Sequence, residues 1–194
     1  MEFEVLLMGI GGQGIQLIGK TLALAATREG RHAMLAAEYG GEMRGGPSQS
    51  TVVIGDAPLR ALPILPSAAS AIVANHKFSG AVPERLRPGG LLLLNSSIVD
   101  PETAGDQHRV VPVAATALAV ELGAPQAAGF VLLGAFNNVT GLVSQEALVA
   151  AMTELLPPYR REHAGSNATA LAAGAEAVSS TTTRAPAWRP GTSR

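Results

Sequence analysis

The residues best suited to chemistry stand near the start of the chain, in MGIGGQGIQLIGKT from Met8 to Thr21. Glycines leave backbone N–H groups uncovered, which is what a phosphate or carboxylate needs, and this stretch satisfies two such patterns at once. Gly9, Gly11 and Gly14 spell G-x-G-x-x-G, the dinucleotide fingerprint, while Gly14 to Thr21 spell G-x-x-x-x-G-K-T, the loop of nucleotide triphosphatases. One backbone cannot use Gly14 in both ways. The triphosphatase loop wants its first glycine directly after a strand, but the apolar run ends at Met8, and Ile15, Leu17 and Ile18 fill what should be an exposed anion nest. Strands that should end in a magnesium-holding aspartate run into Asn75 and Asn95 instead. The dinucleotide pattern lies where it should, with a strand before it and a helix after. In that reading Gly9 permits the tight turn, Gly11 and Gly12 let a backbone or ligand approach, and Gly14 allows close helix packing. The helix that starts near Gln13 aims its free N–H groups at the loop. A glycine turn that only packs strand on helix has the same letters, so an anion site and a packing turn both stay open.

A dinucleotide site adds an acid about 20 residues further on, and Glu38 stands there. Around it, EYGGEMRGGPSQS from Glu38 to Ser50 forms a second glycine-rich loop centred on Arg44-Gly45-Gly46. Beside the first loop it would make an anion pocket, with the Arg44 guanidinium offering paired hydrogen bonds to phosphate or carboxylate. A loop at a subunit interface, with Arg44 paired to a partner's acid, fits the same residues, and the two are compatible. His32, His76, His108 and His163 share no metal spacing and read as structural or surface residues. Asn75-His76-Lys77 and Asn95-Ser96-Ser97 follow apolar strands and read as strand-end caps. Arg160, Arg161 and His163 form a small basic cluster after Pro158, read as a solvated or interface patch. No serine stands in a G-x-S-x-G elbow.

The elements that must hold these loops are short apolar runs separated by helical patterns. Strands are expected over 3–8, 32–37, 49–54, 71–74, 91–94 and 108–113, the fifth introduced by a Pro88-Gly89-Gly90 turn. Continuous rather than alternating apolar strands indicate a sheet buried on both faces, as parallel sheets are. Helices are expected over 14–29, 114–122, 127–139, 144–155 with Ser144 as N-cap, and 166–178. The fold class that follows is α/β: a three-layer α/β/α domain with a mostly parallel sheet and a Rossmann-like glycine loop after the first strand, over residues 1–178. From 179 to 194 the text turns polar, proline-rich and free of acids, and reads as a disordered tail.

The totals set limits. With 194 residues, 47% hydrophobic and 15% charged, the chain supports one sizeable domain and is lean in surface charge. A net charge of −1 steers it toward neither nucleic acid nor an anionic membrane. With no cysteine it can form no disulfide, thiolate nucleophile or iron–sulfur ligand of its own. The N-terminus lacks the features of a signal peptide, so the cytoplasm is the expected compartment. The longest uncharged run, Leu122 to Gln145, contains Pro125, Gln126, Asn137, Asn138 and four glycines, which suits a buried helix and not a membrane span.

The paired motifs, G-x-G-G-Q-G at 9–14 and Y-G-x-E-x-R-G-G at 39–46 before a Ser/Thr-rich strand, resemble the gamma subunit of the 2-oxoacid:acceptor (ferredoxin) oxidoreductases. Pro-Val-x-A-T at 112–116, Gly-x-Val-Ser at 141–144 and Asn167…Ala170…Gly174 are similar too, and the resemblance covers about residues 3–178. Members of that family often carry Pro where Gly41 stands and Ala where Pro47 stands. The resemblance implies a subunit and not a complete enzyme. Its partners would be alpha and beta subunits, with a delta or ferredoxin-like component in some complexes and ferredoxin or another carrier as electron acceptor. Thiamine diphosphate and magnesium would lie between alpha and beta, and iron–sulfur clusters on other components. The assembly would convert a 2-oxoacid and coenzyme A into acyl-CoA, carbon dioxide and two reduced carriers, the isolated chain being inactive. It also implies that Gly9, Gly11, Gly12, Gln13 and Gly14, with Arg44, Gly45 and Gly46, face the phosphates of coenzyme A. The competing expectation is a stand-alone NAD(P)-dependent dehydrogenase that uses the fingerprint and Glu38. The acyl pocket, and with it the choice of 2-oxoacid, is expected on other chains.

Overall fold

The computed structural model describes residues 1–39 and 45–180. In chain order the elements are β1 (Glu2–Ile10), α1 (Ile15–Arg28), β2 (His32–Tyr39), β3 (Pro47–Gly55), β4 (Ala68–Val73), α2 (Val82–Arg85), β5 (Leu86–Asn95), β6 (Arg109–Val113), α3 (Ala115–Glu121), α4 (Ala128–Thr140), α5 (Gln145–Leu155) and α6 (Ala164–Ser180). Short 3-10 turns precede α2, α4 and α6, and one covers Pro101–Ala104. The six strands form one sheet in the order β2-β3-β1-β4-β5-β6. The domain end expected at 178 falls two residues short of the end of α6, and 181–194 lie outside the described residues.

The sheet is α/β and mostly parallel, as the apolar runs indicate, with one reversal. β1, β4, β5 and β6 pair in parallel, whereas β3 runs antiparallel to both β1 and β2. The chain forces this. Only positions 40–46 separate β2 from β3, and a parallel return needs a crossover of about a dozen residues. The Pro88-Gly89-Gly90 turn lies inside β5 as a bulge: Ala68 faces Leu86, and Ser70 already faces Leu91. Gly89, at φ 75°, supplies the left-handed residue that the excursion requires.

One face of the sheet carries most of the core. Val5, Leu7, Ile54, Ile72, Leu91 and Leu93 meet Ile15, Ile18 and Leu22 of α1 and Phe130, Leu133 and Phe136 of α4, all buried. In α1 the buried positions 15, 18, 22, 25 and 26 recur at helical spacing. The helix ends in a left-handed Gly30, past which Arg31 N–H returns to the Ala26 carbonyl at 3.0 Å. Ser144 caps α5 as its sequence position indicates, its hydroxyl accepting from Ala147 N–H at 3.1 Å, while Glu29 accepts from Ser144 N–H at 2.8 Å and ties α5 to the end of α1. The other face is covered by short pieces only: Leu6, Met8, Val73, Leu92 and Leu94 lie under Phe78, Val82, Val99 and Ala104. Both faces are buried, but unequally.

A surface ion cluster closes the sheet end away from the glycine turns. Asp56 accepts from the Met1 ammonium at 3.1 Å and from Arg31 Nε at 3.1 Å, and these contacts, the ammonium first, hold its carboxyl below the ordinary range. A depressed carboxylate adds stability above its unfolded pKa and loses it as pH falls through the folded value. Thermal unfolding of the wild type should therefore soften as pH drops below about 4, and an Asp56→Asn variant should show less of that slope, a small effect because the pair is exposed.

Candidate functional site

Register brings the two glycine-rich loops together. The β1–β3 ladder ends with Ile10 opposite Pro47, so the turn leaving β1 and the segment entering β3 lie side by side. Gly11 N–H donates to Gly46 O at 2.9 Å, adding one rung beyond the strands. Gly12 (φ 99°), Gly14 (φ 74°) and Gly45 (φ 70°) adopt the left-handed backbone that a side chain would strain. Gly11, Gly12, Gln13, Gly14, Gly45 and Gly46 line one cleft of about 860 Å³, a size that suits a cofactor-sized ligand. Arg44 lies outside the described residues.

Two of the glycine-motif residues play parts that the motif does not show. Gly9 is a strand residue paired with Ser48 and does not line the cleft. It is small because a Cβ there would come within 2.8 Å of Gln13 Oε1 and 2.7 Å of Ile15. The turn itself is Gly11 to Gly14. Gln13 turns its amide inward: Ile10 N–H donates to Oε1 at 3.0 Å, and Nε2 donates to Ala74 O at 3.2 Å. It braces the turn, and the exposed glycines present the amides. Gln16 fixes the first turn of α1 to β3 through Gln49 O at 2.6 Å.

The rest of the cleft comes from distant sequence. The N-terminal ends of three helical segments reach it: α1; α4 with its leading turn Pro125–Ala127; and α6 with its leading turn Pro158–His163. None of these helices has an acid in its first turn, α1 and α4 lack a side-chain cap, and no Asp or Glu lines the cleft among the described residues. Bare N-terminal ends present partial positive charge, which an anion complements. α4 approaches so closely that a Cβ on Gly129 would lie 2.9 Å from Gln13 O. Arg160 and His163, expected on a solvated or interface patch, stand on the cleft wall. Their signal in the sequence was a basic cluster, Arg160, Arg161 and His163, just ahead of a helix start, which acquires meaning only once α6 packs on α4 and its start reaches the cleft.

Glu38 does not join the site. β3 lies between β1 and β2, so Glu38 pairs with Gln49 on the edge strand, exposed and outside the cleft. A dinucleotide's ribose acid needs β2 beside β1, and the antiparallel insertion removes it. Of the strand-end asparagines, Asn75 caps the turn that follows it, its Oδ1 accepting from Lys77 N–H at 3.1 Å. Asn95 instead ties β5 to the start of α3, its Nδ2 donating to Thr116 Oγ1 at 2.8 Å and its Oδ1 accepting from Thr116 N–H at 3.3 Å.

An α/β chain with a glycine-lined cleft at the carboxyl end of β1, and with Glu38 outside that cleft, is of the Rossmann-like class. The pattern of the pyruvate ferredoxin/flavodoxin oxidoreductase family matches residues 4–177, and the chain belongs to that family, as a subunit of its gamma type. Two relatives come from Methanothermobacter thermautotrophicus. The 2-oxoglutarate synthase subunit KorC is 32% identical over 90% of this chain and 94% of its own length. The pyruvate synthase subunit PorC is 32% identical over 79% of this chain and 85% of its own. Among solved structures, the gamma subunit of a keto/oxoacid ferredoxin oxidoreductase from Geobacter sulfurreducens superimposes with a TM-score of 0.76 at 27% identity, over 93% of this chain and 98% of that one. Among the described residues no helix is long and apolar enough to cross a membrane.

Proposed function

We propose that this chain is the coenzyme A-facing gamma subunit of a thiamine-diphosphate-dependent 2-oxoacid:ferredoxin oxidoreductase. In this reading it holds the anionic part of coenzyme A in the glycine cleft, at a seam with the alpha and beta subunits. The Gly11–Gly46 hydrogen bond carries the proposal, because it fuses two glycine turns into one cradle at the start of α1. Backbone amides of the turns and the ends of α1 and α4 would receive phosphate oxygens, and Arg44, adjoining Gly45, would add a guanidinium. The thiamine diphosphate and magnesium that carry out decarboxylation, and the clusters that take the electrons, would reside on partner subunits. This chain has no cysteine with which to ligate a cluster. Equal identity to a 2-oxoglutarate and a pyruvate synthase subunit favours acyl selection on the other chains. Exposed Leu62 and Ile64, 73% and 71% accessible, are apolar surface that a partner subunit would cover.

In the assembled complex, Arg44→Ala should raise the apparent KM for coenzyme A about tenfold and leave the KM for the 2-oxoacid unchanged. An unchanged KM for coenzyme A would leave Arg44 an interface role alone.

A further inference from the structure

We infer that the start of α6 forms a second anion subsite in the same cleft, separate from the glycine turns, and, resting on the coenzyme A reading above, that it receives the 3′-phosphate. Asn167 supplies the first argument. It is 8% exposed and lines the cleft, yet the partner of its amide is Met152 Sδ at 3.9 Å. A buried amide normally has a nitrogen or oxygen partner, and one left with a thioether at the wall of a cleft has capacity for a ligand. Arg160 supplies the second. Its guanidinium lies over the Tyr159 ring, 5.7 Å from the centroid, and forms no ion pair among the described residues. His163 adds a further basic group, with Glu162 Oε1 3.8 Å from its Nε2. Ser166 fixes the bend, donating to His163 O at 3.0 Å.

These residues duplicate what the glycine turns already offer. A ligand with a single phosphate or diphosphate needs one cradle. This cleft has two, one drawn from residues 11–18 with 45–48 and the other from residues 160–167, with Ala124, Ala127, Phe130 and Leu156 providing apolar lining. That combination fits a ligand with an organic body and two separate anionic groups. Coenzyme A has this form, with a diphosphate at one position of its adenosine and a 3′-phosphate at another.

The test compares coenzyme A with dephospho-coenzyme A, which lacks only the 3′-phosphate, in the complex assembled with its partner subunits. The wild type should show a KM about tenfold lower for coenzyme A. Arg160→Ala should remove most of that preference by raising the KM for coenzyme A and leaving that for the dephospho form. Arg161→Ala, outside the cleft lining, should change neither. Asn167→Asp, which sets a carboxylate against the incoming phosphate, should weaken coenzyme A more than the dephospho form. Equal KM values for the two thiols in the wild type, or equal shifts for both in Arg160→Ala and Asn167→Asp, would overturn the subsite. If Arg44→Ala weakens both thiols and the α6 variants weaken neither, the coenzyme A reading stands and the subsite falls. If none of these variants alters the KM for either thiol, the coenzyme A reading fails as well.

Discussion

Gly174→Ala should destabilise the chain by about 3 kcal/mol or more, lowering the unfolding midpoint by about 6–12 °C in the purified complex. The reason is a seam where α4 and α6 meet without side chains. A Cβ on Gly174 would run into the Val131 carbonyl, and a Cβ on Gly134 would run into that of Leu171. The spacing is reciprocal, three residues on each helix, so each glycine lies under the backbone of the other helix. A backbone carbonyl cannot swing aside as a flexible side chain can, so the helices must separate. Separation opens the core around Leu133, Phe136 and Leu171, all buried, and disturbs the T-shaped contact of Phe136 with Phe3, whose centroids lie 6.0 Å apart. It also pulls on Asn138, whose Nδ2 donates to Ala175 O and Ser179 Oγ at 2.6 Å each. Gly165 in the same helix is the control. Its added Cβ meets nothing within 4 Å and its φ is not positive, so Gly165→Ala should be neutral or stabilise by about half a kcal/mol. Melting both variants beside the wild type checks the pair. Two similar melts would show that the seam is not tightly packed.

This contrast marks what the sequence could and could not disclose. α1 and the strand before it were legible because their signals are local: an apolar run, a glycine turn, and buried residues recurring at helical spacing. The reversal of β3 was not legible. The expected strands 32–37 and 49–54 leave positions 38–48 between them, close to what a parallel crossover needs, and continuous apolar letters say nothing about strand direction. Only the longer β2 and β3 shorten the connection to 40–46. Gly134 and Gly174 read as ordinary helix residues, since their meaning lies 40 positions apart in the chain. The same holds for the site. The two glycine turns could be paired from their motifs. Arg160, His163 and Asn167 could not, because only the packing of α6 on α4 brings its start to the cleft. Glu38 failed for a topological reason: the spacing was right, and an intervening strand made it irrelevant.

Gln13 ties fold and function together, and its replacement should have the largest effect on coenzyme A use. The turn needs an acceptor for Ile10 N–H and a donor for Ala74 O, at 3.0 and 3.2 Å from one side chain. A primary amide of this length provides both. Gln13→Ala leaves Ile10 N–H without its partner, while Ala74 O retains Asn95 Nδ2 at 3.4 Å. A buried polar group left without a partner costs about 1–3 kcal/mol and a partly buried one less, and here the cost falls on the turn that carries Gly12 and Gly14. Gln13→Glu keeps the acceptor but sets a carboxylate oxygen against the Ala74 carbonyl, so it should displace the turn further than alanine does, despite being closer in shape. A turn moved by about 1 Å no longer directs its amides at one point, and such misplacement can cost about a hundredfold. In the assembled complex the expected order of KM for coenzyme A is therefore wild type, then Gln13→Ala, then Gln13→Glu, spanning up to about a hundredfold, with the KM for the 2-oxoacid unmoved. A purely structural role would lower the amount of assembled complex and leave the KM for coenzyme A as it was. A Gln13→Glu complex that bound coenzyme A as the wild type does would show that the turn is held by its glycines and by β3 alone, and that the side chain is dispensable.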